Sequence, residues 1–186
     1  SWSPYRPDTE APWTLQRFVH LHRRAGFAVT WSEVQRDLRE GVDAAIQRLL
    51  SGQAYMSGVP DDFDVMSEAI AKAPVASNNP NRLKAWWLYR MLFSPDPLTE
   101  RLTLMWHNHF ATSHVKVQSF AAMYDQWQAF RKWGRADFGT LLHAVTHGSA
   151  MLIWLDVNRN QQDHPNENLA RELLELFTLG EGNYSE

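Results

Sequence analysis

The chain lacks several features that mark whole classes of protein. It contains no cysteine, which excludes disulfide bonds, thiolate metal ligands and a cysteine nucleophile. No stretch approaches the ~20 apolar residues that a membrane-spanning helix needs. Lysine and arginine number 18 against 21 aspartate and glutamate residues and form no basic stripe, so the sequence argues against binding to nucleic-acid phosphates. Alternation of apolar and polar residues, typical of a half-buried strand, is also missing.

What the chain has in abundance is bulky apolar material. Of its 186 residues 44% are hydrophobic, and nine tryptophans and nine phenylalanines are among them. Large aromatic side chains dominate protein cores, so we interpret the tryptophans as core residues in preference to the lining of a groove. A chain of this length and composition buries a core without staples, as one domain or as the first half of a larger one.

Apolar residues recur at helical spacing along most of the chain. Thr30 and Glu33 form a capping-box pattern at a helix start, and Gly26 and Gly180 follow helical segments as C-terminal stops. The predicted helices are 13–25, 30–40, 42–50, 61–73, 81–93, 98–111, 117–133, 137–147, 150–156 and 167–179. The predicted class is all-α, an irregular orthogonal bundle of many short helices.

The two ends of the chain differ from its middle. Residues 1–12 hold three prolines and are predicted to form an extended lead-in, with a helical domain over 13–186. Ser185 and Glu186 are typical of the start of another helix. We therefore expect the helical domain to be incomplete at its C-terminus, the N-terminal part of a larger helical protein whose remaining C-terminal portion is its partner.

The segment Trp106–Phe110 carries two histidines, His107 and His109, which could bind a metal as neutral imidazoles. On a continuous helix the two would point about 160° apart. They share a site only if the helix ends at His107 and the chain turns there. Two histidines hydrogen-bonded within a core helix explain the pattern equally well.

A second histidine pair, His143 and His147, has the i, i+4 spacing of zinc ligands on one helix face. No third ligand is evident nearby in the sequence. The opposite face carries the apolar residues of this helix, so we interpret the pair as part of a solvated face.

The loop after the ninth predicted helix is rich in oxygen ligands. Asp156, Asn158, Asn160 and Glu167 occupy the first, third, fifth and twelfth places of an EF-hand-like loop, but Gln161 stands where that loop needs glycine. The pattern argues against a true EF-hand. It leaves open a looser site for a divalent cation, with Asp156, Asn158 and Glu167 as candidate ligands.

The last predicted helix is unusually charged. Glu167 and Arg171 have the i, i+4 spacing of a surface ion pair, and Glu172 and Glu175 project about 60° apart. Carboxylates on a helix that faces a core need arginine, histidine or a metal as partners. Structural ion pairs explain this run as well as catalysis does.

These motifs together resemble a family of bacterial proteins, domain of unknown function 1800. The resemblance rests on His20–Phe27, Trp106–Phe110 with Ser113 and Lys116, Ala150–Asp156, and Pro165–Gly180 continuing into Gly182 and Tyr184. It spans most of the chain and implies that the complete protein continues well beyond Glu186. It implies no reaction, and it makes the polar residues of the motifs candidates for a site.

Two hypotheses about function remain open. In the first, the chain is an enzyme, a metal-dependent hydrolase or oxidoreductase, with Asn168 and a catalytic set of His107, His109, Arg171, Glu172 and Glu175. A divalent metal would polarise the substrate or activate water, and one glutamate would act as general base. In the second, the same residues form a buried salt-bridge network in a non-catalytic scaffold, and exposed tryptophans at positions 2, 13 and 31 mark a protein-binding surface.

Overall fold

The computed structural model describes residues 4–27, 29–52, 62–77, 79–160 and 167–185. The α-helices of these ranges are α1 Leu15–Ala25, α2 Trp31–Glu40, α3 Val42–Ser51, α4 Phe63–Ala76, α5 Pro80–Phe93, α6 Pro97–Phe110, α7 His114–Val117, α8 Phe120–Trp133, α9 Phe138–Thr146, α10 Ser149–Trp154 and α11 Asn168–Glu172. A 3₁₀ turn, Val157–Arg159, follows α10, and a π-helix, Leu173–Thr178, continues α11. The described residues contain no strand, which confirms the all-α class and the multi-helix architecture.

Local capping chemistry sets several helix starts where the sequence predicts them. At α2 the Thr30 hydroxyl accepts a hydrogen bond from the backbone N–H of Glu33, whose carboxylate accepts one from the Thr30 N–H at 2.7 Å. This capping box satisfies two of the donors that a helix start leaves free. At α9 the Asp137 carboxylate accepts from the backbone N–H of Thr140 at 2.9 Å. Both starts depend on residues within three positions of each other, which the sequence displays directly.

The predicted loop from Pro74 to Pro80 is wrong at its beginning. Helix α4 continues through Pro74 and ends at Ala76. A proline inside a helix removes one backbone hydrogen bond and crowds the preceding turn. Here it lies in the last turn, and its ring is buried, so the helix tolerates it.

The single helix predicted over 117–133 is also wrong. The structure has two helices there, α7 and α8, separated by Gln118 and Ser119. Gln118 adopts a left-handed backbone conformation with φ of 52°, which ends α7. Ser119 then caps α8 by accepting a hydrogen bond from the backbone N–H of Ala122 at 3.2 Å. Two capping serines, Ser113 and Ser119, therefore start two helices six residues apart.

The last helix differs from the regular α-helix predicted over 167–179. Helix α11 lasts only to Glu172 and widens into the π-helix, where the N–H of Leu179 donates to the carbonyl of Leu174 at 2.8 Å. The Thr178 hydroxyl donates to the carbonyl of Leu173, also at 2.8 Å. Asn166, the predicted N-cap, lies outside the described residues.

The chain divides into two compact units. The N-terminal unit comprises Ser1–Pro74 and Asn79–Arg101, and the C-terminal unit comprises Val75–Asn78 and Leu102–Glu186. The predicted division into a lead-in over 1–12 and one helical domain over 13–186 stays a prediction. No helix in the described ranges is long and apolar enough to cross a membrane.

The N-terminal unit buries charge as well as apolar surface. Helices α1 to α3 enclose Phe18 and Ala45, both fully buried, together with the Asp37 carboxylate. Asp37 lies 3.6 Å from His22 Nε2, 3.1 Å from Arg36 Nε and 2.6 Å from Arg48 Nη2. A buried carboxylate needs such partners, because without them its desolvation is costly.

A second buried ion pair lies farther along the same unit. The Arg90 guanidinium on α5 donates through Nε and Nη2 to one carboxylate oxygen of Glu100, at 3.1 and 2.9 Å. Arg90 is 1% exposed and Glu100 is fully buried, and Asp64 on α4 accepts a further bond from Arg90. The guanidinium thus joins three segments of the unit.

The C-terminal unit has an aromatic core around Phe110, Phe130 and Phe177. The Trp106 indole packs beside this core and donates to the Gly134 carbonyl at 2.8 Å. A Cβ at position 134 would lie only 2.8 Å from the Trp106 ring, so glycine permits the approach. The tryptophan of the Trp106–Phe110 motif is therefore a packing residue.

Candidate functional site

The two histidines of the Trp106–Phe110 motif lie on one uninterrupted helix. Helix α6 continues to Phe110, so the chain does not turn at His107. The His107 ring faces the edge of Phe130 at 6.3 Å between centroids, and burial lowers the pKa of His107. His109 Nε2 lies 3.1 Å from the Phe177 carbonyl oxygen, to which it donates when that nitrogen carries the proton. The structure therefore gives the two imidazoles different neighbours.

Two motif segments that are distant in the sequence meet at an ion pair. Lys116 Nζ donates to Asp156 Oδ2 at 2.7 Å and to the Trp154 carbonyl, and it lies 5.5 Å from the centre of the Trp154 ring. The hydrogen bond from Lys116 lowers the pKa of the Asp156 carboxyl. Asp156 has a φ of 57°, in the left-handed region that few side chains other than Asn and Asp adopt.

Sequence reasoning assigned no role to Lys116. The resemblance supplied its position, but helical spacing does not relate it to Asp156, which lies 40 residues away. The pair is half-exposed, with 41% of the lysine side chain and 30% of the aspartate side chain accessible. Its place at the end of α10 makes it a polar link between α7 and the loop that follows α10.

The predicted divalent-cation site is not assembled by the residues that the structure describes. Asp156 is held by Lys116, and Arg159 Nε lies 3.7 Å from its other carboxylate oxygen. Glu167 is exposed at the start of α11, while the side chain of Asn158 and residues 161–166 lie outside the described part. Among the described residues no three histidine, aspartate or glutamate side chains form a group that could hold a metal ion.

Polar residues of α11 bond to near neighbours on the same helix and to α10. Arg171 Nη2 lies 2.8 Å from Asn168 Oδ1 and 3.6 Å from Glu172 Oε1. Asn168 Nδ2 in turn donates to the Leu155 carbonyl at 3.4 Å. Asn168 therefore orients the guanidinium and connects it to the end of α10.

The carboxylates of Glu172 and Glu175 have separate partners. Glu172 accepts from Arg171, whereas Glu175 accepts a 2.7 Å hydrogen bond from the Tyr184 hydroxyl. The π-helix begins between the two glutamates, after Glu172. The tyrosine was noted in the sequence only as part of the resemblance, and its bond to Glu175 returns the end of the described chain to the helix.

One open pocket of about 330 Å³ lies beside this helix, and we call it the α11 pocket. Its lining residues are Glu167, Ala170, Arg171, Leu174, Tyr184 and Ser185. It brings together two residues predicted from the sequence, Glu167 and Arg171, and connects to a third, Glu175, through Tyr184. His107, His109 and Asp156 are not among the described residues that line it.

The histidine pair of α9 is solvated, as the sequence predicts. The rings of His143 and His147 stack at 4.1 Å between centroids, and both side chains are exposed. His147 Nδ1 lies 2.8 Å from the His143 carbonyl oxygen. Within the described part of the chain, no further acidic or histidine side chain joins them in a metal-binding group.

Comparison with known proteins gives one match. The family model described as "Protein of unknown function (DUF1800)" matches residues 20–186, which include all the motif segments discussed above. No curated protein and no solved structure matches the chain. The resemblance predicted from the motifs is confirmed.

Proposed function

We propose that this chain, which belongs to the DUF1800 family of proteins of unknown function, uses the α11 pocket as the polar site of a hydrolase or an oxidoreductase. We develop the hydrolase, because its roles can be assigned to side chains of the pocket. The observation that carries the proposal is that Glu167 and Arg171, both predicted from the sequence, open into one solvent-reachable pocket. Ion pairs that served only for stability would not need such a space.

Arg171 suits an anionic group of the substrate. Its side chain is 45% exposed, and Asn168 holds one of its terminal nitrogens at 2.8 Å. A guanidinium restrained in this way presents its other donors as a planar fork, which matches carboxylate and phosphate oxygens. Arg171 is the only lysine or arginine among the described residues that line the pocket, so it is the anchor for such a group.

The carboxylates and the tyrosine supply the remaining chemistry. Glu167 lies across the pocket lining from no second acid, since it is the one carboxylate among the described lining residues. It can accept a proton from an attacking water as general base. Tyr184, whose hydroxyl is held by Glu175, forms the opposite end of the lining sequence and can orient the substrate.

A divalent metal belongs to this proposal as a second step. When bound it would polarise the substrate or activate water. The described residues supply no complete ligand set, so Asp156, Asn158 and Glu167 would need additional ligands. Elemental analysis of the purified, untagged protein after exhaustive dialysis tests this step. Near-stoichiometric zinc, iron, manganese or calcium supports it, and a metal-free folded protein removes it.

Binding of inorganic phosphate tests the pocket itself. We expect phosphate to raise the melting temperature of the wild-type chain, because a ligand that binds only the folded state stabilises it. Arg171→Ala should remove this response. Arg82→Ala is the matched control, since Arg82 is exposed on α5 and lies outside the pocket. A response that survives in Arg171→Ala contradicts the proposal.

Hydrolysis of p-nitrophenyl phosphate and p-nitrophenyl acetate tests the reaction class. We expect turnover by the wild-type chain to fall at least about 100-fold in Glu167→Gln, the range of one lost general base. Phosphate binding should persist in that variant, because Arg171 is intact. Turnover that is unchanged in Glu167→Gln would contradict the assigned role.

A non-catalytic scaffold is the second candidate, and a specific observation favours it. Polar motif residues connect separate helices: Lys116 reaches Asp156, His109 reaches the Phe177 carbonyl, and Asn168 reaches the Leu155 carbonyl. If Arg171→Ala and Glu167→Gln change only the free energy of unfolding, and neither ligand binding nor turnover, the scaffold explains the chain better.

A further inference from the structure

The N-terminal unit has a pocket of its own, formed by the segment before α1 and by helices α1 and α3. It has a volume of about 400 Å³, within the range of small-molecule sites. Its apolar wall consists of Tyr5, Trp13, Leu21, Val42 and Ile46. We call it the α1 pocket. None of the polar residues predicted from the sequence as a site lies in it, and it is independent of the function proposed above.

The charged part of the lining has one sign. Arg17, His20 and Arg24 line the pocket, and no aspartate or glutamate is among its described lining residues. Together with Leu21 they follow the i, i+3, i+4, i+7 pattern, so one face of α1 presents basic groups beside an apolar residue. His20 and Arg24 belong to the His20–Phe27 motif, and neither forms an ion pair with any residue that the structure describes.

The aromatic wall is held in place by hydrogen bonds. The Tyr5 hydroxyl donates to the Ala11 carbonyl at 2.9 Å, and the Trp13 indole donates to the Asp37 carbonyl at 3.2 Å. The Asp8 carboxylate closes the turn between them by accepting from the backbone N–H of Ala11 at 2.6 Å. These bonds satisfy the polar ends of both rings, so their apolar faces are available to a ligand.

Arg17 is already engaged with this wall. Its guanidinium carbon lies 4.7 Å from the centre of the Tyr5 ring, and its Nη1 donates to the Ala11 carbonyl at 3.3 Å. Arg17 therefore fixes the segment before α1, whereas the exposed side chains of His20 and Arg24 are available to an incoming anion.

From these observations we propose that the α1 pocket binds a monocarboxylate with an aromatic body, the body between Tyr5, Trp13 and Ile46 and the carboxylate at Arg24 and His20. Two aromatic rings and three aliphatic side chains complement a flat apolar ligand. The basic lining selects an anion over a neutral or cationic molecule, because a charge-assisted hydrogen bond to arginine is stronger than a neutral one.

The test uses 2-naphthoate as the probe and isothermal titration calorimetry on the whole chain. We expect a dissociation constant of about 100 µM or tighter, as the size of the probe allows. The neutral analogue 2-naphthylmethanol should bind at least about tenfold more weakly, because it lacks the charge. Absence of binding at millimolar 2-naphthoate, or equal affinity for the two probes, overturns the proposal.

A pair of neighbouring arginines supplies a matched control. Arg23 and Arg24 are both exposed in the last turn of α1, but only Arg24 lines the pocket. Arg24→Glu should weaken 2-naphthoate binding at least about tenfold, and Arg23→Glu less than about threefold, although both change the net charge equally. If the two substitutions have the same effect, the anion is attracted by net charge alone and the proposed site is wrong.

Discussion

The two units of the chain place their ion pairs in different surroundings. In the N-terminal unit Asp37 and Glu100 are fully buried, and Arg90 is 1% exposed. In the C-terminal unit Lys116 is 41% exposed and Arg171 is 45% exposed. Buried charges depend on their partners for stability, whereas exposed pairs contribute little and leave their groups accessible to ligands. The comparison teaches that charge in the first unit is a folding requirement and charge in the second is a surface chemistry.

The largest expected effect is that of breaking the buried pair on α5. Arg90→Ala should lower the free energy of unfolding by about 3–5 kcal/mol, because it leaves the Glu100 carboxylate buried without its main partner. Urea denaturation measures this loss. The double variant Arg90→Met, Glu100→Leu should recover most of it, since apolar residues of similar size replace buried pairs at little cost. A double variant as unstable as the single one would show that the pair is not the cause.

A smaller effect concerns pH. Burial lowers the pKa of His22 from 6.5 to about 4, although nearby Asp37 opposes the shift. Because the unfolded chain binds the proton more readily, this histidine's contribution is complete above pH 6.5 and declines as the pH falls towards 4, by about 3 kcal/mol at most. Urea denaturation between pH 7 and pH 4.5 should show a shallower decline in His22→Gln than in the wild type.

The exposed pair His143 and His147 supplies the control for that measurement. His143→Gln should leave the pH profile of stability unchanged, because the ring is exposed on α9. If His143→Gln flattens the profile as much as His22→Gln does, the pH dependence does not come from the buried histidine.

The smallest expected effect is in the C-terminal unit. Lys116→Met should shift the melting temperature by less than about a quarter of the shift in Arg90→Ala, since exposed ion pairs contribute little. The same substitution should raise the pKa of Asp156, because the hydrogen bond from Lys116 is the main cause of its lowering. NMR titration of the carboxyl carbon measures that change. A large loss of stability in Lys116→Met would erase the difference between the two units.

Features that depend on neighbouring residues could be predicted from the sequence. The capping box at Thr30 and Glu33 and the solvated pair His143 and His147 lie within one helical turn, where residue spacing fixes geometry. Motif similarity likewise identified the family over residues 20–186. The charged α11 was predicted as a candidate site for the same reason, because Glu167 and Arg171 are close in the sequence.

Features that depend on tertiary contacts could not. Lys116 meets Asp156 across 40 residues, and His109 meets the Phe177 carbonyl across 68. No local pattern encodes such distances, so one lysine was overlooked and one histidine was assigned to a site without a partner. The split between α7 and α8 was missed because it depends on the left-handed backbone of Gln118, a conformation that glutamine seldom adopts.

The π-helix at the end of α11 makes the geometry of this surface depend on chain length. Its wide turn, closed by the bond from the Leu179 N–H to the Leu174 carbonyl, holds one residue more than an ordinary helical turn would. Deleting a single residue within Leu173–Thr178 would restore α-helical bonding and rotate everything that follows by about 100°. Tyr184 would then be carried away from Glu175. The stretch is thus intolerant of insertion and deletion while remaining open to substitution at its exposed positions.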